Sequence, residues 1–256
     1  MSTYVMAPKH WIVYDGKSTN DFNVYTSGEA TFSSPERNYE SIDILGRNGS
    51  LTVDYGTFKN INVTYRCFIP YDLEKNLRAF RSFLGSKHGY FKLEDTRHPD
   101  EYRMARFVSA LDVNSARLEV GSFELTFDCK PQRYLINGNE VKTFSSNGTI
   151  INPTYQIAKP LIKINGTSTG TLAIGDARIS VALTSSVSSL YFDTELLDAY
   201  SMSGTTKVSR NSLVSDSISG NYIHGIEGME LDPGSNAITK TGGITSVEIT
   251  PRWWTL

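Results

Sequence analysis

The chain has 256 residues, which is enough for two domains that each bury a hydrophobic core. Its 25 Lys and Arg residues nearly balance 27 Asp and Glu residues, and a formal charge of -2 argues against a nucleic-acid-binding or membrane-surface protein. No apolar run approaches the roughly 18 residues of a spanning helix. The start, Met1-Ser2-Thr3-Tyr4, lacks the pattern of a secretory signal, so we expect neither a membrane protein nor a Sec-exported one.

Alternating apolar residues predict two half-buried strands in the first half of the chain. Period-2 alternation is typical of a strand with one buried face. Between the second strand and Leu118–Val120 the pattern slips at Gly121-Ser122, which predicts a turn or a bulge there. The apolar positions are Ile61, Val63, Tyr65, Cys67 and Ile69 in one strand and Phe123, Leu125, Phe127 and Cys129 in the other.

A helix is predicted between these strands. Leu73, Leu77, Phe80 and Leu84 recur at spacings of 4, 3 and 4, which gives one apolar stripe over three turns that packs on a sheet. Asp72 is the expected N-cap, and Gly85 is expected to close the C-terminus.

The two cysteines, Cys67 and Cys129, lie within the predicted strands. Two residues so far apart form neither a disulfide framework nor a zinc ribbon, so we interpret them as buried, reduced thiols. The chain is expected to be made in a reducing cytoplasm.

The composition changes near residue 136. Residues 1–135 hold 17 basic and 17 acidic residues, whereas 136–256 hold 8 and 10 and are rich in Ser, Thr, Gly and Asn. This shift next to Asn137-Gly138-Asn139 predicts two β-rich domains, 1–136 and 137–256. Tight turns are predicted at Asp15-Gly16 and at four Asn-Gly pairs, which start at residues 48, 137, 147 and 165.

Catalytic motifs are present but lack their structural context. Gly166-Thr167-Ser168-Thr169-Gly170 matches the nucleophile elbow of hydrolases, and Asp193 and His224 follow in the expected order. The elbow needs a helix after the serine, whereas the following residues favour a strand, so we predict a hairpin turn at Ser168 instead. Gly16-Lys17-Ser18 lacks the first glycine of a phosphate loop.

The four histidines form no motif that binds a metal. His88 and His98 flank acidic residues, which a solvated turn explains. We therefore predict no catalytic, cofactor-binding or metal-binding residues and no cofactor.

Several segments resemble siphophage distal tail proteins, in the same order along the chain. The resemblance is close over residues 11–135, and the remainder is similar mainly in length, composition and ending. The segments are Trp11–Ser18 with Phe22-Asn23-Val24, Ser34–Glu40, Ile44–Gly49, Tyr90–Asp95, Pro99–Phe107, Phe127–Tyr134 and Pro251–Trp254.

This resemblance implies a structural hub. It predicts a mainly β protein: an N-terminal belt-type β-domain with one α-helix and a long hairpin, then a galectin-like β-sandwich. The belts would form a hexameric ring at the virion tail tip that joins the tail tube to the adsorption apparatus and lets DNA pass. The implied partners are five further copies, the tail tube protein, a tail-associated or tail fibre protein and a receptor-binding protein, with DNA in transit and no membrane. The length leaves no room for the inserted carbohydrate-binding module of some relatives.

The resemblance also directs attention to one loop. Gly46 and Gly49 bracket Arg47 and Asn48, which frees the backbone to bend and projects an arginine. Gly46, Arg47, Asn48 and Gly49 are therefore the candidate ring interface, since arginine is enriched at interfaces; the alternative is an ordinary exposed hairpin tip.

Two other functions remain open at the sequence level. A carbohydrate-binding module would use Trp253, Trp254 or Tyr222 as its sugar platform. A hydrolase would use Ser168.

The change in composition generates a prediction about domain boundaries. Limited proteolysis should cut first near residue 136 and leave a soluble, monomeric C-terminal fragment, because linkers between domains are more accessible than folded cores. Mass spectrometry of the fragments checks this. First cuts within 50–120, with no stable fragment that starts near 136, would contradict it.

Overall fold

The structure, a computed structural model, describes residues 10–27, 33–117 and 120–256, with the backbone alone at 115–117. It divides into two compact units, Met1–Arg133 with Leu256 and Tyr134–Thr255. This division lies three residues before the predicted boundary at 136. Separate folding of the two parts stays a prediction. No helix in the described part of the chain has the length and apolar character needed to cross a bilayer.

The first unit consists mainly of antiparallel strands. The structure describes one α-helix in it, α1 (Leu73–Gly85), and a 3-10 turn at Thr19–Phe22. The last strand continues two residues past the division between the units. The strands are β1 (Ile12–Tyr14), β2 (Lys17–Ser18), β3 (Tyr25–Ser27), β4 (Arg37–Asp43), β5 (Ser50–Phe58), β6 (Ile61–Ile69), β7 (Phe91–Asp95), β8 (Glu101–Phe107), β9 (Asn114–Arg117) and β10 (Val120–Leu135).

The second unit is built from strands and 3-10 turns. The turns are Ile136–Asn139, Asn211–Leu213 and Ile226–Gly228. The strands are β11 (Lys142–Phe144), β12 (Gly148–Asn152), β13 (Leu161–Ile174), β14 (Ala177–Val181), β15 (Ser189–Asp193), β16 (Asp198–Ser203), β17 (Thr206–Ser209), β18 (Val214–Asp216), β19 (Gly234–Thr250) and β20 (Trp254–Thr255).

The main sheet of the first unit has the order β2-β1-β7-β8-β10-β6-β3, with β9 also paired to β10. The buried faces of these strands meet the apolar stripe of α1 in one core. Strands β6 and β10 pair over nine residues, from Gly121 opposite Ile69 to Cys129 opposite Ile61. Both predicted strands are thus confirmed.

The predicted slip is confirmed as a shift of register between Val120 and Gly121, where β10 pairs with β9. Leu118, the other residue before the slip, lies outside the described residues.

The predicted helix and its stripe are confirmed, but its ends differ from the prediction. Leu73, Leu77, Phe80 and Leu84 are all buried. Asp72 precedes the helix with φ 51°, and its side chain does not cap. Ser86, rather than Gly85, closes the helix: its N–H bonds to Ser82 O at 3.2 Å, and its hydroxyl donates to Phe83 O at 2.7 Å.

Both cysteine thiols are buried and unpaired, as expected. Burial raises the pKa of Cys67 and of Cys129 to about 12. At neutral pH these side chains therefore behave as small apolar groups.

Two long strands, β13 and β19, form the centre of the sheet in the second unit. They pair along most of their length, with β15 on the first part of β13 and β14 on its last part. The pairing shifts between Gly166, opposite Ile244, and Gly170, opposite Gly242, so that three residues of β13 face one of β19. This bulge accompanies the change of neighbour from β15 to β14, and bulges bend a sheet.

The predicted turn at Asn165-Gly166 is therefore wrong. Ser168 lies in the bulge within β13, not at a hairpin tip. The neighbouring strand β19 binds both sides of the bulge, and this tertiary pairing overrides the local turn preference. The turn at Asp15-Gly16 is confirmed: both residues have positive φ and join β1 to β2 as a two-residue hairpin loop.

Arg252, near the end of the chain, binds Asp193, the last residue of β15, and we call this ion pair the Arg252–Asp193 clamp. Arg252 donates from both terminal nitrogens to Asp193, at 2.8 and 2.9 Å. Burial by itself would raise the pKa of Asp193, but the hydrogen bonds and charge of Arg252 hold that pKa below its usual value. The Asp193 side chain is 8% exposed, so the pair is largely shielded from water.

The predicted fold class is confirmed: the protein is mainly β, with curled sheets, one α-helix among the described residues and a long hairpin, β4–β5. A galectin-like β-sandwich for the second unit stays a prediction.

Truncation of the helix stripe should destabilise the first unit. Leu77→Ala and Phe80→Ala should each lower the free energy of unfolding by about 2–5 kcal/mol, because both remove buried apolar volume. Urea unfolding of wild type and variants measures this. Arg78→Ala, on the exposed side of α1, is the control and should change it by less than about 0.5 kcal/mol. Equal stability of all variants would contradict burial of the stripe.

The clamp should make the second unit acid-sensitive. The pKa of Asp193 is lower in the folded chain than its unfolded value of 3.8. The contribution of its ion pair to the free energy of unfolding is therefore complete above pH 3.8 and is lost as the pH falls through the folded pKa. Asp193→Asn should lower the free energy of unfolding at pH 7 by about 3 kcal/mol, since it leaves the Arg252 guanidinium with only its longer, 3.7 Å ion pair to Glu195. It should also flatten the loss of stability below about pH 4.

Urea unfolding from pH 7 to pH 3, followed by tryptophan fluorescence in a Trp11→Phe background that leaves only Trp253 and Trp254 of the second unit, measures both effects. Glu140→Gln breaks the exposed pair with Lys142 and should change little. A variant with the acid response of wild type would exclude the clamp as its source.

Candidate functional site

The candidate site is the hairpin formed by β4 and β5. Its strands pair from Arg37 opposite Phe58 to Asp43 opposite Ser50, as a two-stranded sheet of their own. In sequence the hairpin lies between β3 and β6, which are neighbours in the main sheet. The backbone of Lys59 closes its base with a 2.9 Å bond to Glu36 O.

One face of the hairpin is apolar. Ile42 lies opposite Leu51, and Glu40 opposite Val53, so these four side chains share a face. The Tyr55 hydroxyl donates to Glu40 at 2.8 Å and places Tyr55 on the same face. Ile42, Leu51, Val53 and Tyr55 are 43, 49, 39 and 53% exposed, so no described part of the chain covers this face.

The opposite face is mostly polar. Ser41 lies opposite Thr52 and Asp43 opposite Ser50, and the hydroxyls of Ser41 and Ser50 are 2.7 Å apart. Tyr39 is the large apolar side chain on this face, opposite Asp54. The hairpin is therefore amphipathic, with water on both of its faces.

A bulge lies at the base of the hairpin. The register jumps from Asn38 opposite Thr57 to Tyr39 opposite Asp54, which leaves Tyr55 and Gly56 as extra residues on β5. Gly56 has a φ of 67°, and its N–H donates to Asp54 at 2.8 Å. This bond and the 2.6 Å bond from Arg37 lower the pKa of the Asp54 carboxyl. The bulge thus has a defined, bonded geometry.

The tip holds the candidate interface residues Gly46, Arg47, Asn48 and Gly49, all exposed. Gly46 and Gly49 have φ of 81° and 82°, the left-handed region that glycine adopts without strain. The Arg47 N–H donates to Ile44 O at 3.1 Å and tightens the turn. Among the described residues no carboxylate lies within ion-pair distance of the Arg47 guanidinium, so this charge is available to a partner. Leu45, beside it, is fully exposed.

The glycines of the sequence predict this tip, whereas the exposed apolar face was not predicted. The signal was present in the alternation of Leu51, Val53 and Tyr55 with polar residues. Alternation alone predicts burial of that face, so it cannot distinguish a face buried within the chain from one left for another molecule.

The residues of the hydrolase motif do not assemble into a catalytic group. Ser168 lies in the bulge against Gly243, and both carboxylate oxygens of Asp193 are bound by Arg252. His224 is exposed and forms an isolated bridge with Ala177. No helix follows Ser168, which therefore lacks the elbow geometry.

The other motifs also have structural roles. Gly16 ends the β1–β2 loop and Lys17-Ser18 form β2, where Lys17 pairs with Asp21 at 2.9 Å. His98 contacts Asp95 at 3.1 Å. Within 10–27, 33–117 and 120–256, no group of three His, Cys, Asp or Glu residues is arranged to hold a metal ion.

Of the three aromatic residues considered for a sugar platform, one is buried. Trp253 is 4% exposed and belongs to the core of the second unit. Trp254 donates from its ring nitrogen to Ile157 O at 2.9 Å, and the Arg178 guanidinium lies 5.3 Å from the centre of the Tyr222 ring. The buried Trp253 ring cannot stack on a sugar.

Comparison with known proteins identifies a solved structure with the same fold. No family model and no curated protein matches the chain. Among solved structures, it is similar to the Dit protein of phage SPP1, described as a paradigm of the hub adsorption apparatus in phages that infect Gram-positive bacteria. The TM-score is 0.68 at 13% sequence identity, over 96% of this chain and 99% of that chain. The chain therefore has the fold of this distal tail protein, as the sequence resemblance predicted.

Proposed function

We propose that the protein is the structural hub of a siphophage tail tip. In this role it forms a hexameric ring that joins the tail tube to the adsorption apparatus and lets DNA pass. The observation that carries the proposal is the fold, which matches the SPP1 hub protein over nearly the whole length of both chains. The exposed hairpin supplies a physical reason for self-association.

The hairpin favours assembly because its apolar face and its strand edges have no partner among the described residues. A two-stranded hairpin is marginally stable in water unless its apolar face packs against something. Both outer strand edges of β4–β5 are also unpaired within the described chain, and such edges accept further strands. A second copy of the chain would cover Ile42, Leu51, Val53 and Tyr55 and give Arg47 a carboxylate partner. In a closed ring each hairpin would contact a different surface of the next copy, which is the head-to-tail contact that rings require.

The size of the first unit suits a ring of six. A domain of 135 residues has a radius of gyration of about 14 Å, so an equivalent sphere is about 37 Å across. Six such spheres in contact leave an opening of about 37 Å, whereas three leave about 6 Å. B-DNA is roughly 20 Å wide, so six copies would admit it and three would not.

The charge of the first half also suits a passage for DNA. Residues 1–135 carry 17 basic and 17 acidic residues. A strongly basic lumen would hold phosphates electrostatically. A near-neutral one would let DNA move through.

In this proposal the chain acts in the virion, at the tail tip, after synthesis in the bacterial host. Its partners are the tail tube protein on one side and a tail-associated, fibre or receptor-binding protein on the other. It has no catalytic role, which agrees with the separation of Ser168 from any catalytic partner.

Substitution on the apolar face should disrupt assembly. Ile42→Asn with Leu51→Asn should weaken self-association at least tenfold, because it places amides in the buried part of the proposed interface. Light scattering across a concentration series and negative-stain images, with and without partner tail proteins, measure this. The matched control is Ser41→Asn with Thr52→Asn, the neighbouring pair on the polar face.

Variants of Arg47 at the hairpin tip are measured in the same experiment. Arg47→Glu should weaken the ring, whereas Arg47→Lys should retain part of it because the charge remains. Circular dichroism should be unchanged throughout, since every substituted side chain is exposed. Monomers at high concentration, together with images that lack rings even with tail partners present, would remove the proposal. Equal effects of the two double variants would exclude the apolar face as the interface.

A further inference from the structure

The main sheet of the first unit holds a polar cavity beside its apolar core. Glu101, Arg103 and Ala105 alternate on one face of β8, and Ala105 belongs to the core. The cavity, of about 60 Å³, is lined there by Arg103 and Glu101, and by Arg133 on the neighbouring strand β10. All of its lining residues belong to the first unit.

The carboxylates of the cavity already have partners. Glu101 accepts a 2.9 Å bond from Arg133. Asp95 contacts the His98 ring at 3.1 Å and accepts the Tyr65 hydroxyl at 3.3 Å. It also accepts the backbone N–H groups of Arg97 and His98, both at 2.8 Å. Glu101 also attracts Arg103 through space, but neither carboxylate lies within ion-pair distance of the Arg103 guanidinium.

Arg103 has no carboxylate partner among the described residues. It is 8% exposed, and its one hydrogen bond is a long contact of 3.4 Å to Pro131 O. Burial, followed by the charge of Arg133, lowers the pKa of Arg103. The Nε of Arg133 is also buried and bonds to no other group. The buried guanidinium of Arg103 and the buried Nε of the partly exposed Arg133 thus have unused N–H donors at one cavity.

The lining as a whole is cationic. It contains Arg66, Arg97, Arg103 and Arg133 against Asp95 and Glu101. Arg66 pairs with Glu124 at 3.6 Å, whereas Arg97 forms no ion pair with any described residue. A buried charge without a counter-ion is unfavourable by several kcal/mol, so this arrangement favours an anion in the cavity.

We propose that this cavity binds one carboxylate group. The planar fork of a guanidinium donates two parallel bonds to the two oxygens of a carboxylate. A volume of about 60 Å³ holds a few water molecules, which is room for a carboxylate group. The carboxylate belongs either to a free small acid or to an acidic side chain of another protein. This inference does not depend on the ring proposal.

The test is titration of the full chain with sodium acetate at constant ionic strength, with chloride as the replaced anion. Saturation-transfer NMR of the acetate methyl group reports binding. Saturable binding is expected in wild type. Arg103→Met should weaken it at least tenfold, and Arg103→Lys at least threefold, because lysine retains the charge and lacks the fork. Arg97→Gln should weaken it about threefold, and the exposed Arg78→Gln should leave it unchanged.

Circular dichroism distinguishes lost binding from lost folding. If Arg103→Met fails to fold, Arg97→Gln provides the test, because the Arg97 side chain forms no hydrogen bond or ion pair with the described residues that its loss would break. Absence of saturable acetate binding to wild type, or equal affinity in wild type and all variants, would overturn the proposal.

A second titration separates the two sources of the carboxylate. An end-blocked Gly-Asp-Gly peptide should bind if the site receives a protein side chain, and Gly-Asn-Gly should not. Binding of acetate without the peptide would support the site and assign it to a free acid. Glu29 lies in sequence between Ser27 and Ser33, which both line the cavity, so Glu29→Gln is titrated in parallel. If acetate binds to Glu29→Gln but not to wild type, the cavity receives a carboxylate of this chain and not of an external ligand, and the proposal is wrong.

Discussion

The packing of helix α1 against the inner face of the main sheet fixes the positions of the other elements in the first unit. Phe80 and Leu84 are nearly inaccessible to solvent, and they share a core with Phe127 and Leu125 of β10. Because β10 also pairs with β6, and β6 with β3, the same core holds the two strands between which the chain leaves the sheet. The hairpin therefore lies in sequence between two strands of the packed sheet, although its own apolar face is exposed. An interface element attached to a packed sheet loses less conformational freedom on binding than a free segment would.

Local patterns predicted the elements whose contacts follow directly from them. The stripe of Leu73, Leu77, Phe80 and Leu84 and the alternation of β6 and β10 correspond to the observed helix and strands. Asp15-Gly16 forms the predicted loop because both of its residues accept positive φ. In each case the physical cause lies within a few neighbouring residues.

The features that the sequence did not predict depend on contacts between residues far apart in the chain. Asn165-Gly166 has the composition of a turn, but pairing of β13 with a strand about 80 residues further along holds it extended. The Arg252–Asp193 clamp and the isolation of Arg103 also depend on residues that meet through the fold, and the sequence contains no local sign of either. The tip of the candidate site could be found from its glycines and from the family resemblance. The exposure of its apolar face could not be predicted, because alternation alone predicts that such a face is buried.

The burial of both thiols has a practical consequence for the study of assembly. With pKa values of about 12, Cys67 and Cys129 hold almost no thiolate at neutral pH and react slowly with maleimides. The native cysteines would therefore take up almost no label in a site-directed labelling experiment. A single cysteine introduced in place of the fully exposed Leu45 would carry a fluorophore or spin label at the hairpin tip alone. Distances between such labels in neighbouring copies would then report the number of subunits and the direction of each hairpin without removal of any native residue from the core.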